Sequence, residues 1–222
     1  MTIGHKLTEF YKNIDKPEKL PKGVELLFPF SDDSVLNAIE SFYEKFFADQ
    51  NRRILLLGIN PGRFGGGVTG IPFTDPEKLD TVLGIDNHFE KRYELSSTFI
   101  YEMINQLGGP ESFYSRFLIS SVCPLGFVKN GKNLNYYDEK PLLDSLESYM
   151  VENLRWHFEH VADKKVIFSL GQGKNVKYLE HLNKKYKLFG EVIPLPHPRW
   201  ILQYRRKRKD EFLDLYQQQL EG

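Results

Sequence analysis

Four short aliphatic runs, Arg53 to Gly58, Phe117 to Cys123, Lys165 to Leu170 and Glu191 to Leu195, each end in a Gly, Pro or polar turn. Runs this short and this apolar read as buried strands. Between them apolar residues recur every three or four positions. Val35, Ile39, Phe42 and Phe46 follow the candidate N-caps Ser31, Asp32 and Asp33, and Phe99 to Leu107 run from Ser96 to a stop at Gly108-Gly109. Leu142, Leu146, Met150 and Leu154 follow Pro141, Val176, Leu179 and Leu182 follow Gly173, and Phe212, Leu215 and Tyr216 lie near the C-terminus. Strands alternating with helices of this length require crossover connections that place helices on both sheet faces. The expected fold class is therefore α/β: three layers, α/β/α, around a central four-stranded, mainly parallel sheet. Residues 1–222 are expected to form one domain, with residues 1–50 as a helical part packed on it.

Composition narrows the function classes. Hydrophobic residues make up 41% of the chain, enough to fill a core without covalent staples, and the single Cys123 excludes a disulfide framework or a cysteine-ligated metal cluster. Thirty basic and thirty acidic residues cancel, so binding to nucleic acid must use a local patch. No apolar run reaches the roughly 20 residues of a membrane span, and the first fifteen residues lack a signal-peptide centre, so an intracellular, cytoplasmic protein with no membrane partner is expected.

In parallel sheets ligands bind beyond the carboxyl ends of the strands. The first strand opens into a loop, Gly58 to Phe73, with six glycines and two prolines in sixteen residues and Asn60 at its mouth. It lacks the Gly-Lys-Ser/Thr of a phosphate loop and the G-x-G-x-x-G of a dinucleotide fold, and from the segment alone a turn capped by Asn60 stays open. The irregular stretch from Pro61 to Glu94 exceeds ordinary connection lengths, which marks a functional loop. A second segment runs Phe117 to Phe127 through Ser121 and Cys123-Pro124-Leu125, followed by Asn130-Gly131-Lys132-Asn133-Leu134. In the third, Pro194-Leu195-Pro196-His197-Pro198-Arg199-Trp200, three prolines hold a His and an Arg beyond the last strand in a turn.

Together these segments resemble the single-strand-selective monofunctional uracil-DNA glycosylases, within the uracil-DNA glycosylase superfamily, as a diverged bacterial branch. That family has a Gly-Met-Asn-Pro-Gly loop ending in Thr-Gly-Val-Pro-Phe, spaced as Asn60 to Phe73 are here, then Cys-Pro-Leu, Gly-Arg-Asn-Leu and His-Pro-Ser-Pro-Arg. The resemblance covers about residues 53 to 216. It implies a monofunctional enzyme that extrudes a damaged base from DNA and hydrolyses its N-glycosidic bond, initiating base excision repair, with no cofactor, no metal and a monomeric state. It gives Asn60 the attacking water and His197 the O2 of the departing base, makes Phe73 the stacking plate and gives Ile59 backbone contacts beside it. Gly62 stands where stricter uracil enzymes place a bulky aromatic, which leaves room for a 5-substituted uracil such as 5-hydroxymethyluracil.

Two positions depart from the family. Ser121 stands where the family reads the base edge with an Asn, and one hydroxyl cannot make a paired donor–acceptor contact. Read without gaps, Leu195 falls on the family's His; matching His-Pro to His-Pro gives His197. For DNA contact the resemblance makes the last loop a wedge, with Arg199 and Trp200 plugging the vacated base site. Six basic residues in eleven, Arg199, Arg205, Arg206, Lys207, Arg208 and Lys209, suit phosphate neutralisation. Lys132 and Asn133 fall on a second contact loop, and Lys174 opens a helix where a phosphate or solvent could sit. His157 and His160 read as packed or partly exposed residues, and Asp75, Glu77 and Asp80 as a solvated turn rather than a metal site. A catalytically inactive nucleic-acid-binding module and a small-molecule or nucleotide hydrolase remain as alternatives.

Overall fold

The computed structural model describes residues 1–222. In chain order the helices are α1 (Ile3–Lys12), α2 (Asp33–Phe46), α3 (Gly66–Thr69), α4 (Pro76–Thr81), α5 (Leu95–Gln106), α6 (Gly109–Arg116), α7 (Lys140–His160), α8 (Lys174–Tyr186), α9 (Pro198–Tyr204) and α10 (Lys209–Glu221). The strands are β1 (Glu25–Leu27), β2 (Arg53–Gly58), β3 (Phe117–Ser121), β4 (Gly126–Lys129), β5 (Lys132–Leu134), β6 (Ala162–Leu170) and β7 (Glu191–Leu195). No helix is long and apolar enough to cross a membrane.

The four apolar runs become one sheet in the order β3-β2-β6-β7, flanked by helices as a three-layer α/β/α fold. All three pairings are parallel, so the sheet is wholly rather than mainly parallel. β3 ends at Ser121, and the N–H groups of Val122 and Cys123 then donate to the carbonyls of Gly58 and Ile59 at 3.0 and 3.1 Å, which ties the two strand exits together. β6 begins at Ala162 rather than Lys165, and its pairing with β2 shifts register between Arg53 and Leu55. At the foot of β2 the fully buried Arg53 donates to Tyr114 O at 2.7 Å and pairs bidentately with Asp49, anchoring the strand at the end away from the glycine-rich loop.

A cluster of 54 buried hydrophobic side chains runs through the molecule. The helices of the first 50 residues belong to it: Tyr11 of α1 stacks on Tyr43 of α2 with ring centroids 5.8 Å apart. Asp32 caps α2, as the sequence suggests, by accepting from Ser34 N. Gly108 and Gly109 end α5 in left-handed conformations, φ +93° and +88°, but the chain re-enters a helix at once as α6. A glycine pair signals a stop and does not show that a second helix follows.

Three further features change the expectation. A small antiparallel sheet, β1-β4-β5, lies outside the main one, and its β4–β5 hairpin turns at Asn130-Gly131 with φ +51° and +69°, the Asn-Gly pair favoured in tight hairpins. Strands of three or four residues carry too little alternation to read from sequence. The stretch Pro61 to Glu94 contains α3 and α4; Asp75 is buried and caps α4 through Lys78 N, which corrects its reading as solvated, while Glu77 is exposed and Asp80 pairs with Lys91. The proline-rich third segment is not a turn throughout: Pro198 opens α9 and His197 is its N-cap. Proline at the first helical position lacks only an N–H that would have no partner there anyway.

Candidate active site

At the carboxyl ends of β2, β3 and β7, beside the β4–β5 hairpin, lies a pocket of about 110 Å³. This is the scale of a cavity that accepts one aromatic ring. Its walls bring together Ile59, Asn60, Gly62, Phe73, Ser121, Asn133, His197 and Arg199. Leu195 is buried in the core and takes no part, so the chain presents His197, two residues further on, to the pocket. A larger cleft of about 570 Å³ lies between α1 and α7 and contains none of these residues.

Asn60 is held at both ends of its amide. Its Oδ1 accepts from Tyr136 N at 3.0 Å, and its Nδ2 donates to Leu134 O at 3.2 Å and, more weakly, to Pro61 O at 3.4 Å. This pattern fixes which end is oxygen, and leaves one lone pair of Oδ1 for a further donor. The clamp is itself supported: Tyr136 OH donates to Asn175 Oδ1 at 2.7 Å, and Asn175 Nδ2 donates to Ser169 Oγ at 3.0 Å.

Phe73 is half-buried, with its ring close to the end of β2. A Cβ at position 58 would come within 2.4 Å of its ring, so only glycine lets the aromatic approach the strand this closely. Phe73 also holds φ +56°, an unfavourable conformation for an aromatic residue and one that the surrounding structure must impose. Its ring centroid stands 6.1 Å from that of His197, the two rings inclined at 43°.

His197 accepts from Arg199 N through Nδ1 at 3.1 Å, as the cap of α9. An acceptor nitrogen carries no proton, so the neutral ring is protonated at Nε2. Burial, and then the charge of Arg199, push its pKa down to about 4, which keeps the ring neutral at pH 7.

Behind the pocket, Ser121 is nearly fully buried. Its carbonyl accepts from Asn153 Nδ2 at 3.0 Å, and Asn153 O accepts from His157 Nδ1 at 2.8 Å. His157 Nε2 faces Ser120 Oγ at 3.1 Å. His157 is thus a buried structural residue with its pKa pushed down to about 4 by desolvation.

A family model described as "Uracil DNA glycosylase superfamily" matches residues 44–221. The chain belongs to the uracil DNA glycosylase superfamily. It is similar to SMUG2 of Pedobacter heparinus, known from a crystal structure, at 43% identity and a TM-score of 0.94 over 97% of this chain and 95% of that one.

Within this glycosylase fold the expected site residues distribute in two groups. Ile59, Asn60, Gly62, Phe73, Ser121 and His197 share the pocket. The Ile59 carbonyl accepts from Cys123 N–H at 3.1 Å, which uses one of its two lone pairs. Among the basic residues, Arg199 stands at the pocket mouth. Trp200 is not at a loop tip: it sits in the first turn of α9, edge-on to Phe212 and under the Arg205 guanidinium, which lies 5.0 Å above its ring. Arg208 and Lys209 are neutralised by Glu211 and Glu102, whereas Arg199, Arg205, Arg206 and Lys132 have no carboxylate partner. Asn133, exposed on the β4–β5 hairpin next to Lys132, also lines the pocket, and Lys174 lies over the ring of Tyr137.

Sequence reasoning missed Glu94, Ser96 and Asn135, which also line the pocket. Glu94 caps α5, accepting from Ser96 N at 3.2 Å and Ser97 N at 2.8 Å. A Glu directly before Leu95-Ser96-Ser97 was its one available signal, at the end of the long loop.

Proposed function

We propose that this protein is a monofunctional DNA glycosylase that hydrolyses the N-glycosidic bond of uracil and related damaged bases, the first step of base excision repair. The observation that carries the reading is the convergence of three groups on one ring-sized slot: the clamped Asn60 amide, the Phe73 plate and the neutral His197.

The chemistry follows from these groups. An everted base enters the slot and stacks on Phe73, and stacking offsets part of the cost of unstacking it from DNA. The C1′–N1 bond breaks with its electron pair going to the base, whose negative charge spreads to O2. The Nε2–H of His197 donates to that oxygen, and a preorganised donor of this kind contributes about 3–4 kcal/mol to the transition state. A neutral donor suits the task, because it stabilises the anion without protonating it first. The free lone pair of Asn60 Oδ1 holds a water by accepting one of its hydrogens. The water oxygen bonds to C1′ as the sugar becomes cationic, and its proton passes to solvent or to the departed base. An amide is a poor base, so its contribution is position. No lysine serves as nucleophile, so the product is an abasic site in an uncut strand.

Arg199, Arg205, Arg206 and Lys132 serve to neutralise phosphates around the mouth. Gly62 leaves the pocket wall without a side chain, which supports acceptance of a 5-substituted uracil. The test is release of base from single- and double-stranded oligonucleotides carrying uracil, 5-hydroxymethyluracil, xanthine or hypoxanthine. Retardation of the strand with no base released from any of them would support a binding module instead.

A further inference from the structure

Ser121 offers one hydroxyl where the family reads the base with an amide, yet the pocket does hold another amide. Asn133 lines the pocket from β5. Its Oδ1 accepts from Arg63 N at 3.3 Å, which turns its Nδ2 toward Gly62. A Cβ at position 62 would lie 3.1 Å from that Nδ2 and 4.0 Å from the amide carbon. The space left by the glycine is therefore not simply empty: an N–H donor borders it. The hairpin that carries Asn133 is fixed to the site loop, since a Cβ on Gly126 would come within 2.6 Å of Pro61 O, and Arg63 Nη1 donates to Gly131 O across the turn. Asn133 is exposed in the free protein.

We propose that Asn133 is a specificity-determining residue, its amide N–H favouring a flipped base that carries a hydrogen-bond acceptor oxygen on the edge facing Gly62 over one with a methyl-sized group lacking such an oxygen. This rests on the glycosylase reading. A wall that is merely open admits substituents by size, whereas a wall with a donor sorts them by chemistry, because covering an N–H without a partner is costly. On this geometry Asn133 selects among substituted bases, and Ser121 and His197 serve every base alike.

The test compares kcat/KM on single-stranded oligonucleotides carrying uracil, 5-hydroxymethyluracil or 5-chlorouracil, the last being methyl-sized without an oxygen. Dividing each substituted base by uracil for the same protein, and then variant by wild type, cancels leaving-group differences. In Asn133→Ala the 5-hydroxymethyluracil ratio is expected to fall about 10-fold, the size of one hydrogen bond, while the 5-chlorouracil ratio holds or rises. Asn133→Gln, which keeps an amide, should recover part of the loss. Equal ratios in wild type and Asn133→Ala, with uracil excision retained, overturn the proposal and leave the glycosylase reading standing. Failure of the wild type to release any base overturns both.

Discussion

The backbone N–H of Arg199 and the Nδ1 of His197 are 3.1 Å apart, and this one hydrogen bond sets the chemistry of the imidazole. It makes the ring a helix cap, forces its remaining proton onto Nε2 and places the positive charge of Arg199 where it opposes a second proton. Burial first, and then the charge of Arg199, keep this capping histidine neutral.

The first consequence concerns pH. With His197 pushed down to about 4, the excision rate at saturating DNA should be flat from about pH 6 to 8, with no loss near the ordinary histidine value. Single-turnover rates across that range check this. A tenfold change centred near pH 6.5 that His197→Gln abolishes would show the ring to be unshifted.

Stability should respond to pH through His157. Its folded pKa lies near 4, below the unfolded value of about 6.5, so between these values the unfolded chain binds more protons. The contribution is full above pH 6.5 and is lost as pH falls toward 4, by an amount of order 3 kcal/mol. Urea unfolding at pH 7 and pH 4.5 should show this fall, and His157→Gln should have a smaller one. An identical pH dependence in the variant would remove His157 as the source.

DNA affinity should separate the free basic residues from the paired ones. Replacing Arg199, Arg205, Arg206 or Lys132 by Ala should each reduce the slope of log affinity against log salt by about 0.7 on single strands. Arg208→Ala should leave the slope unchanged, because Glu211 already holds that guanidinium through three contacts of 3.0, 3.0 and 2.7 Å. Fluorescence anisotropy at several salt concentrations measures both, and equal slopes for all five variants would place the DNA elsewhere.

Phe73→Ala should weaken productive binding by about 1–3 kcal/mol, the value of one base–aromatic stack. Phe73→Leu should lose less. The loss belongs in kcat/KM for excision, with the unfolding midpoint changed little, because the ring is only half-buried. A fall in stability with unaltered kcat/KM would make Phe73 a packing residue.

The main sheet was legible because its signals are local, and the pocket residues because three short motifs resemble those of the glycosylase family. Short apolar runs, an Asn beyond the first strand and a His beyond the last each lie within one segment. What escaped depends on contacts between segments. The β1-β4-β5 sheet pairs residues about a hundred positions apart, and β1 has only three residues. Asn133 could be placed on a contact loop, but its turn toward Gly62 needs Arg63, seventy positions earlier. Glu94 is a pocket residue only because α5 starts beside Gly65. The reading of Pro196-His197-Pro198 as a turn overlooked that His can cap a helix and Pro can open one.

The most direct measurement is single-turnover release of uracil from a labelled oligonucleotide by wild type, Asn60→Ala and His197→Ala, with circular dichroism confirming that each is folded. The wild type should release the base and leave an abasic strand. His197→Ala should be slowed about 100- to 1000-fold, the worth of one preorganised donor, and Asn60→Ala by at least about 100-fold through loss of the positioned water. Wild-type rates in both folded variants would contradict the assignment of the pocket as the place where the glycosidic bond is broken.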